Sequence, residues 1–172
     1  MLGLPKGKVF LVPWTEQWER EFLLEKQTIQ SVLGECPLAI HHIGSTAVKD
    51  LSAKPIIDIA IEVMKFEDGV RCVPALEKIG YSYKGTSILP ERHYFSKGEP
   101  RTHQIHLFQT GSEHLKKQLA LKEYLNQNAS DRKAYQELKE KLSVTYGADK
   151  LAYADAKSDF IHSLMQKLGF EN

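Results

Sequence analysis

Apolar residues recur at helical spacing early in the chain, at Trp18, Phe22, Leu23, Ile29, Val32 and Leu33, behind Thr15 and ahead of Gly34. A hydroxyl residue can accept from the orphan N–H groups at a helix start, and a glycine can reverse the chain at its end, so this run predicts an amphipathic helix. Trp14 and Trp18 are expected to pack inward from it. Before the helix, Val9 to Val12 forms a short extended segment that stops at Pro13. After it the period changes. Ala39 and Ile40 lead into His41 and His42 as a short strand, and Gly44-Ser45-Thr46 interrupts it with a small turn rich in donors. Pro55 to Val63 is then almost continuously apolar and β-branched, broken only by Asp58 and Glu62, which is the pattern of a strand covered on both faces.

Phe66, Val70, Val73, Leu76 and Ile79 return to helical spacing until Gly80. Tyr81–Lys84, Arg92–Lys97 and His103–Phe108, parted by Gly- and Pro-bearing segments, read as three strands that extend the sheet in antiparallel fashion. From Gly111 onward the period is helical again. Leu115, Leu119 and Leu125 mark one helix, Tyr135, Leu138 and Leu142 a second that starts near Asp131, and Phe160, Ile161, Leu164 and Leu168 a third. Glu137, Lys139, Glu140 and Lys141 are read as the solvated side of the second.

These elements predict one α/β (α+β) domain over residues 1–172, a mixed sheet flanked by helices with a C-terminal helical segment. Ile40–His42, Ile56–Val63 and His103–Phe108 should be neighbouring strands. No repeat or low-complexity linker interrupts the pattern. The formal net charge of +1 argues against a dedicated nucleic-acid binder while leaving room for a local basic pocket. Cys36 and Cys72 have neither metal-ligand nor redox spacing and are read as buried thiols. No basic-then-apolar leader opens the chain, and no apolar run reaches the roughly 20 residues of a membrane helix, so a cytoplasmic protein without membrane contact is expected.

Candidate chemistry concentrates in the strand region. An ionised Asp58 inside a buried strand is costly unless it meets a cation, a metal or several donors, which points to a site. Five of the seven histidines, His41, His42, His93, His103 and His106, also fall among the predicted strands. Strand alternation puts Gln104 and His106 on one face and His103 on the other.

Three blocks, His42-Ile43-Gly44-Ser45-Thr46-Ala47-Val48, Ala53-Lys54-Pro55-Ile56-Ile57-Asp58-Ile59 and Arg101-Thr102-His103-Gln104-Ile105-His106, carry a resemblance to the GrpB family. Val12-Pro13-Trp14, Arg92-His93-Tyr94-Phe95 and the segment from Tyr153 to Ile161 extend it over nearly the whole chain. That family resembles the nucleotidyltransferase superfamily with a polymerase-β-like fold, and in some bacteria it is found fused to dephospho-CoA kinase.

The resemblance implies a small-molecule ligand, a nucleotide or a CoA-like compound. His42, Gly44, Ser45, Thr46, Lys54, Arg92 and Arg101 would meet its phosphates, Asp58 would hold Mg²⁺, and Asp58 and His106 would be the catalytic pair. Two departures weaken it. Gln104 stands where a His-x-His pair is common, so no zinc site is expected. Asp58 is followed by Ile59 and Ala60 rather than by a second acid two residues on, and Glu62 at the far end of the strand makes a weak second ligand for paired Mg²⁺. Three readings stay open: a nucleotidyltransferase-like enzyme, a binding module that keeps the phosphate cradle without the chemistry, and a merely structural turn whose buried polar groups satisfy one another.

Overall fold

A mixed five-stranded sheet organises the chain, described in a computed structural model for residues 2–146 and 149–170. Its strands are β1 (Ala39–Ile43), β2 (Ile57–Val63), β3 (Tyr81–Gly85), β4 (Arg92–Lys97) and β5 (His103–Gln109), in the order β1-β2-β5-β4-β3. β2 and β5 run parallel at the centre, and every other pairing is antiparallel. The expected neighbours are therefore adjacent. Helices are α1 (Glu16–Leu33), α2 (Asp68–Lys78), α3 (Glu113–Gln127), α4 (Ala129–Tyr146) and α5 (Lys150–Lys167), and a 3-10 turn covers Ser45–Ala47.

Local chemistry sets the first helix as the sequence predicts. Thr15 accepts from the N–H of Gln17 at its start, and Gly34 ends it at a φ of 61°. Its apolar stripe lies on one face of the sheet, where Trp18, Phe22 and Ile29 meet Ile59, Ile105 and Leu107, all buried. Trp14 packs against the same cluster. The Cys36 and Cys72 sulfurs lie 3.6 Å apart at its margin, and burial pushes the Cys72 thiol up to about 12. The segment before Pro13 contributes one antiparallel bridge, Val12 to Ala53.

Helices α3 to α5 form the opposite side. Val48, Leu51, Leu125, Tyr135 and Leu164 make one cluster there, and Ile43, Ala60, Phe108 and Leu115 another. One expectation fails in this layer. Lys139, assigned to a solvated face by its charged neighbours, is only 1% exposed. It sits four residues after Tyr135 and three before Leu142, and that spacing places all three on the inner stripe of α4. Among the described residues no helix is long and apolar enough to cross a membrane.

Candidate functional site

Register decides which side chains share the helical-layer face. Ile43 lies opposite Asp58, Asp58 opposite Gln104, Tyr94 opposite His106 and Arg92 opposite Phe108, so all of these point the same way. The Gly44 turn folds over them. Gly44 has a φ of 76°, and a Cβ there would lie 2.8 Å from Asp58 Oδ2. Only glycine allows both the conformation and the approach. The 3-10 turn that follows does not use its own first N–H groups, which leaves donors beside the carboxylate.

Asp58 is 28% exposed at the bottom of this recess and accepts from His106 Nε2 at 2.9 Å. Arg92 Nη1 approaches His106 Nδ1 at 3.1 Å. A guanidinium can only donate, so Nδ1 must accept and the ring proton sits on Nε2, facing Asp58. Both ring nitrogens of His106 are committed, one to Asp58 and one to Arg92, which makes it an orienting group for the carboxylate. Burial works against the Asp58 anion, but the hydrogen bond and the electrostatic attraction of His106, followed by that of Lys54, outweigh it and hold the carboxyl below its ordinary range.

The cleft above has a volume of about 350 Å³. Gly44, Ser45, Thr46, Lys54, Asp58, Arg92 and His106 all line it, so seven of the residues expected at the site meet there. His42 and Arg101 do not line it. His42 lies opposite Ile59 in the register, turned to the other face, where it stacks on Phe22 at a centroid distance of 4.8 Å. Strand alternation had to separate it from Asp58. Burial, reinforced by Lys122, pushes it down to about 4, and its Nε2 lies 2.9 Å from Thr46 Oγ1, so it props the turn from behind. Arg101 is half-buried in a bridge with Leu4, close enough to Lys54 to add to the positive field without entering the cleft.

Three lysines that the sequence did not single out complete the lining: Lys122 from α3, Lys139 from α4 and Lys157 from α5. Lys122 donates to the carbonyl of His42 at 2.9 Å, and Lys139 to that of Ser52 at 2.9 Å. Burial, followed by repulsion from Lys157, pushes Lys54 down to about 8. Burial and the two neighbouring lysines hold Lys139 well below its ordinary range, and burial lowers Lys157. Tyr135 is raised to about 12 by burial, partly offset by a hydrogen bond with Ser45. A signal for Lys157 was present, since Tyr153 and Lys157 are one helical turn apart in a block that carries the family resemblance.

The donor set does not fit a two-metal cage. Among the described residues Asp58 is the one carboxylate lining the cleft, and one of its oxygens is taken by His106. Glu62 shares its face but is held at the far end by His41 at 2.8 Å and Thr110 at 3.3 Å. Among the described residues no group of three or more His, Cys, Asp or Glu side chains is placed to hold a metal ion.

Comparison with known proteins gives the same architecture. The chain is 34% identical over 158 residues to the protein YqkA of Bacillus subtilis, covering 91% of this chain and 46% of YqkA, so it spans about half the length of that relative. A crystal structure of the conserved protein GrpB from Enterococcus faecalis superposes with a TM-score of 0.85 at 32% identity, covering 92% of this chain and 96% of that one. The Cid1 poly(U) polymerase, in a structure bound to MgATP, superposes with a TM-score of 0.53 at 12% identity over 74% of this chain and 45% of its own, a likeness of nucleotidyltransferase fold alone. The family model described as GrpB protein matches residues 8–167, and the chain belongs to the GrpB family.

Proposed function

We propose that the cleft binds the phosphate chain of a nucleotide or a CoA-like ligand, on a fold of nucleotidyltransferase type. One observation carries this reading: Lys54, Lys122, Lys139, Lys157 and Arg92 converge on a recess with a single carboxylate, beside a glycine turn with free donors. Cations gathered in a low-dielectric recess are costly unless an anion joins them, and phosphate oxygens match both the ammonium groups and the backbone N–H groups. Ser45 and the N–H groups of the turn would orient the chain, and Lys54 and Arg92 would meet its charge.

A second reading, nucleotidyl transfer, is favoured by Asp58 standing directly against the glycine turn. There Asp58 would contact one Mg²⁺ that the phosphates carry, an arrangement Mg²⁺ accepts because it keeps most of its water. The ion would supply charge stabilisation at the reacting phosphate. The lone carboxylate places binding ahead of transfer.

A thermal-shift panel of ATP, CoA and dephospho-CoA tests the binding reading. A ligand at a hundred times its Kd raises stability by about 2.7 kcal/mol, and a flat panel would remove the reading. Pyrophosphate release in Mg²⁺, lost in Asp58→Asn, would move transfer to the front. Binding that persists in Asp58→Asn without any release leaves it as a binding module.

A further inference from the structure

We infer that the cleft takes a ligand with about four negative charges on its phosphates, bound as the metal-free anion, with lysines supplying the positive charge that divalent ions supply in two-metal sites. The inference rests on the phosphate-binding reading and narrows its ligand class.

The first support is what the lysines rest on. Lys54 and Lys157 lie over the same ring, that of buried Tyr153, at 5.7 and 5.4 Å from its centroid, and Lys139 lies 5.1 Å from that of Tyr135. Aromatic faces attract a cation without neutralising it. Among the described residues no carboxylate oxygen lies within ion-pair distance of any of the three. Each ammonium group carries three donors, and Lys139 spends one on the Ser52 carbonyl, so most of them remain for a ligand's oxygens.

Charge then sets the ligand. Among the described residues the lining holds five basic side chains and one carboxylate, a formal surplus of four when all five carry their protons, and an anion joining them favours that protonated state because burial is what lowers Lys54, Lys139 and Lys157. A nucleoside triphosphate, or a compound of the CoA type with a diphosphate and a separate phosphate monoester, carries about four charges near neutral pH. A nucleoside monophosphate or dephospho-CoA carries about two and would leave buried cations unmatched. Chelated Mg²⁺ removes about two charges from a triphosphate, so it competes with the lysines for the same oxygens.

Isothermal titration of the whole protein with ATP, AMP, CoA and dephospho-CoA, each in EDTA and again in excess Mg²⁺, decides the matter. In EDTA, ATP or CoA should bind about tenfold or more tighter than AMP and dephospho-CoA, and Mg²⁺ should weaken ATP. Whether ATP or CoA gains more identifies the source of the charge. Lys157→Met, on a half-buried position, and Lys139→Met should each weaken the tetra-anion by about tenfold and the dianions much less, with circular dichroism confirming folding. Equal affinity for dianions and tetra-anions, or binding that requires Mg²⁺, would overturn the inference and leave phosphate binding standing. Failure of all four ligands would remove both.

Discussion

The two faces of the sheet treat buried charge in opposite ways. On the α1 side, Glu25 is buried among apolar residues and is met by Lys97 at 2.9 Å, by the Tyr81 hydroxyl at 3.1 Å and by His103 at 3.7 Å. That anion is answered within the protein. On the α3 to α5 side, cations outnumber the carboxylate and rest on tyrosine rings and carbonyl oxygens. The first arrangement is what stability alone selects, because a partner removed from a buried pair leaves an uncompensated charge. The second is stable only at a cost, and perturbed ionisable groups of this kind gather at functional sites more often than elsewhere. The contrast within one small domain makes the cleft's imbalance a property of that site.

The largest effect on this contrast should come from Gly44→Ala. A left-handed backbone and a methyl group beside Asp58 Oδ2 together cost about 2 to 4 kcal/mol. Chemical denaturation should show that loss, and phosphate ligands should no longer raise the midpoint. Gly111→Ala is the control, because Gly111 has a φ of 85° but nothing within 4 Å of its added Cβ, so only the backbone part, about 1 to 2 kcal/mol, should appear. Equal losses at the two positions would show that the contact with Asp58 is soft.

Next in size is the pair Glu25→Gln and Lys139→Met. The first strips the anion from Lys97 and should destabilise by about 1 to 3 kcal/mol, discounted because Lys97 is 27% exposed. The second removes a buried lysine that meets no carboxylate among the described residues, and the ligand-free protein should be as stable as before or more so. Denaturation curves of both variants check the sign. Destabilisation of similar size in both would mean that the faces do not differ in the way described.

A third test uses pH. Lys54 sits near 8 in the folded protein against about 10.5 unfolded, so between those values the unfolded chain binds more protons and stability must rise with pH. The penalty is fully present below about pH 8 and is relieved above it. Near pH 10 the buried tyrosines begin to act in the other direction, since Tyr81 is held above its ordinary range by burial and by Glu25. Wild type minus Lys54→Met isolates the lysine, and that difference should rise from pH 8 to about 9.5. A flat difference would remove the coupling.

The sequence revealed what local rules control. Thr15 and Gly34 bracket α1, the β-branched run around Asp58 is the central strand, and the Gly44 turn meets that strand because both belong to one short segment. The lysines were hidden for a different reason. Lys139 bonds to Ser52 across 87 residues, and only helix packing brings them together. Neighbouring charges at Glu137, Glu140 and Lys141 disguised it, although its spacing from Tyr135 and Leu142 pointed inward. His42 erred in the opposite sense: membership of the motif suggested the cleft, and strand alternation turned it away.

The smallest effect is expected at Glu62, and its smallness is informative. Glu62 faces the same way as Asp58 two strand positions beyond Ala60, so a reading that seeks paired metal ligands would recruit it. Its oxygens instead meet His41 and Thr110 at the end of β2 away from the Gly44 turn. Glu62→Gln should therefore change the affinity for any phosphate ligand by less than about twofold, with or without Mg²⁺. Its partly exposed contact with His41 should cost no more than about 1 kcal/mol. Titration of ATP into the variant at two Mg²⁺ concentrations checks both statements. A large loss confined to the Mg²⁺ arm would mean that β2 moves to bring its second acid to the ligand, and the lysine-rich cleft would then have to share its phosphate with a metal.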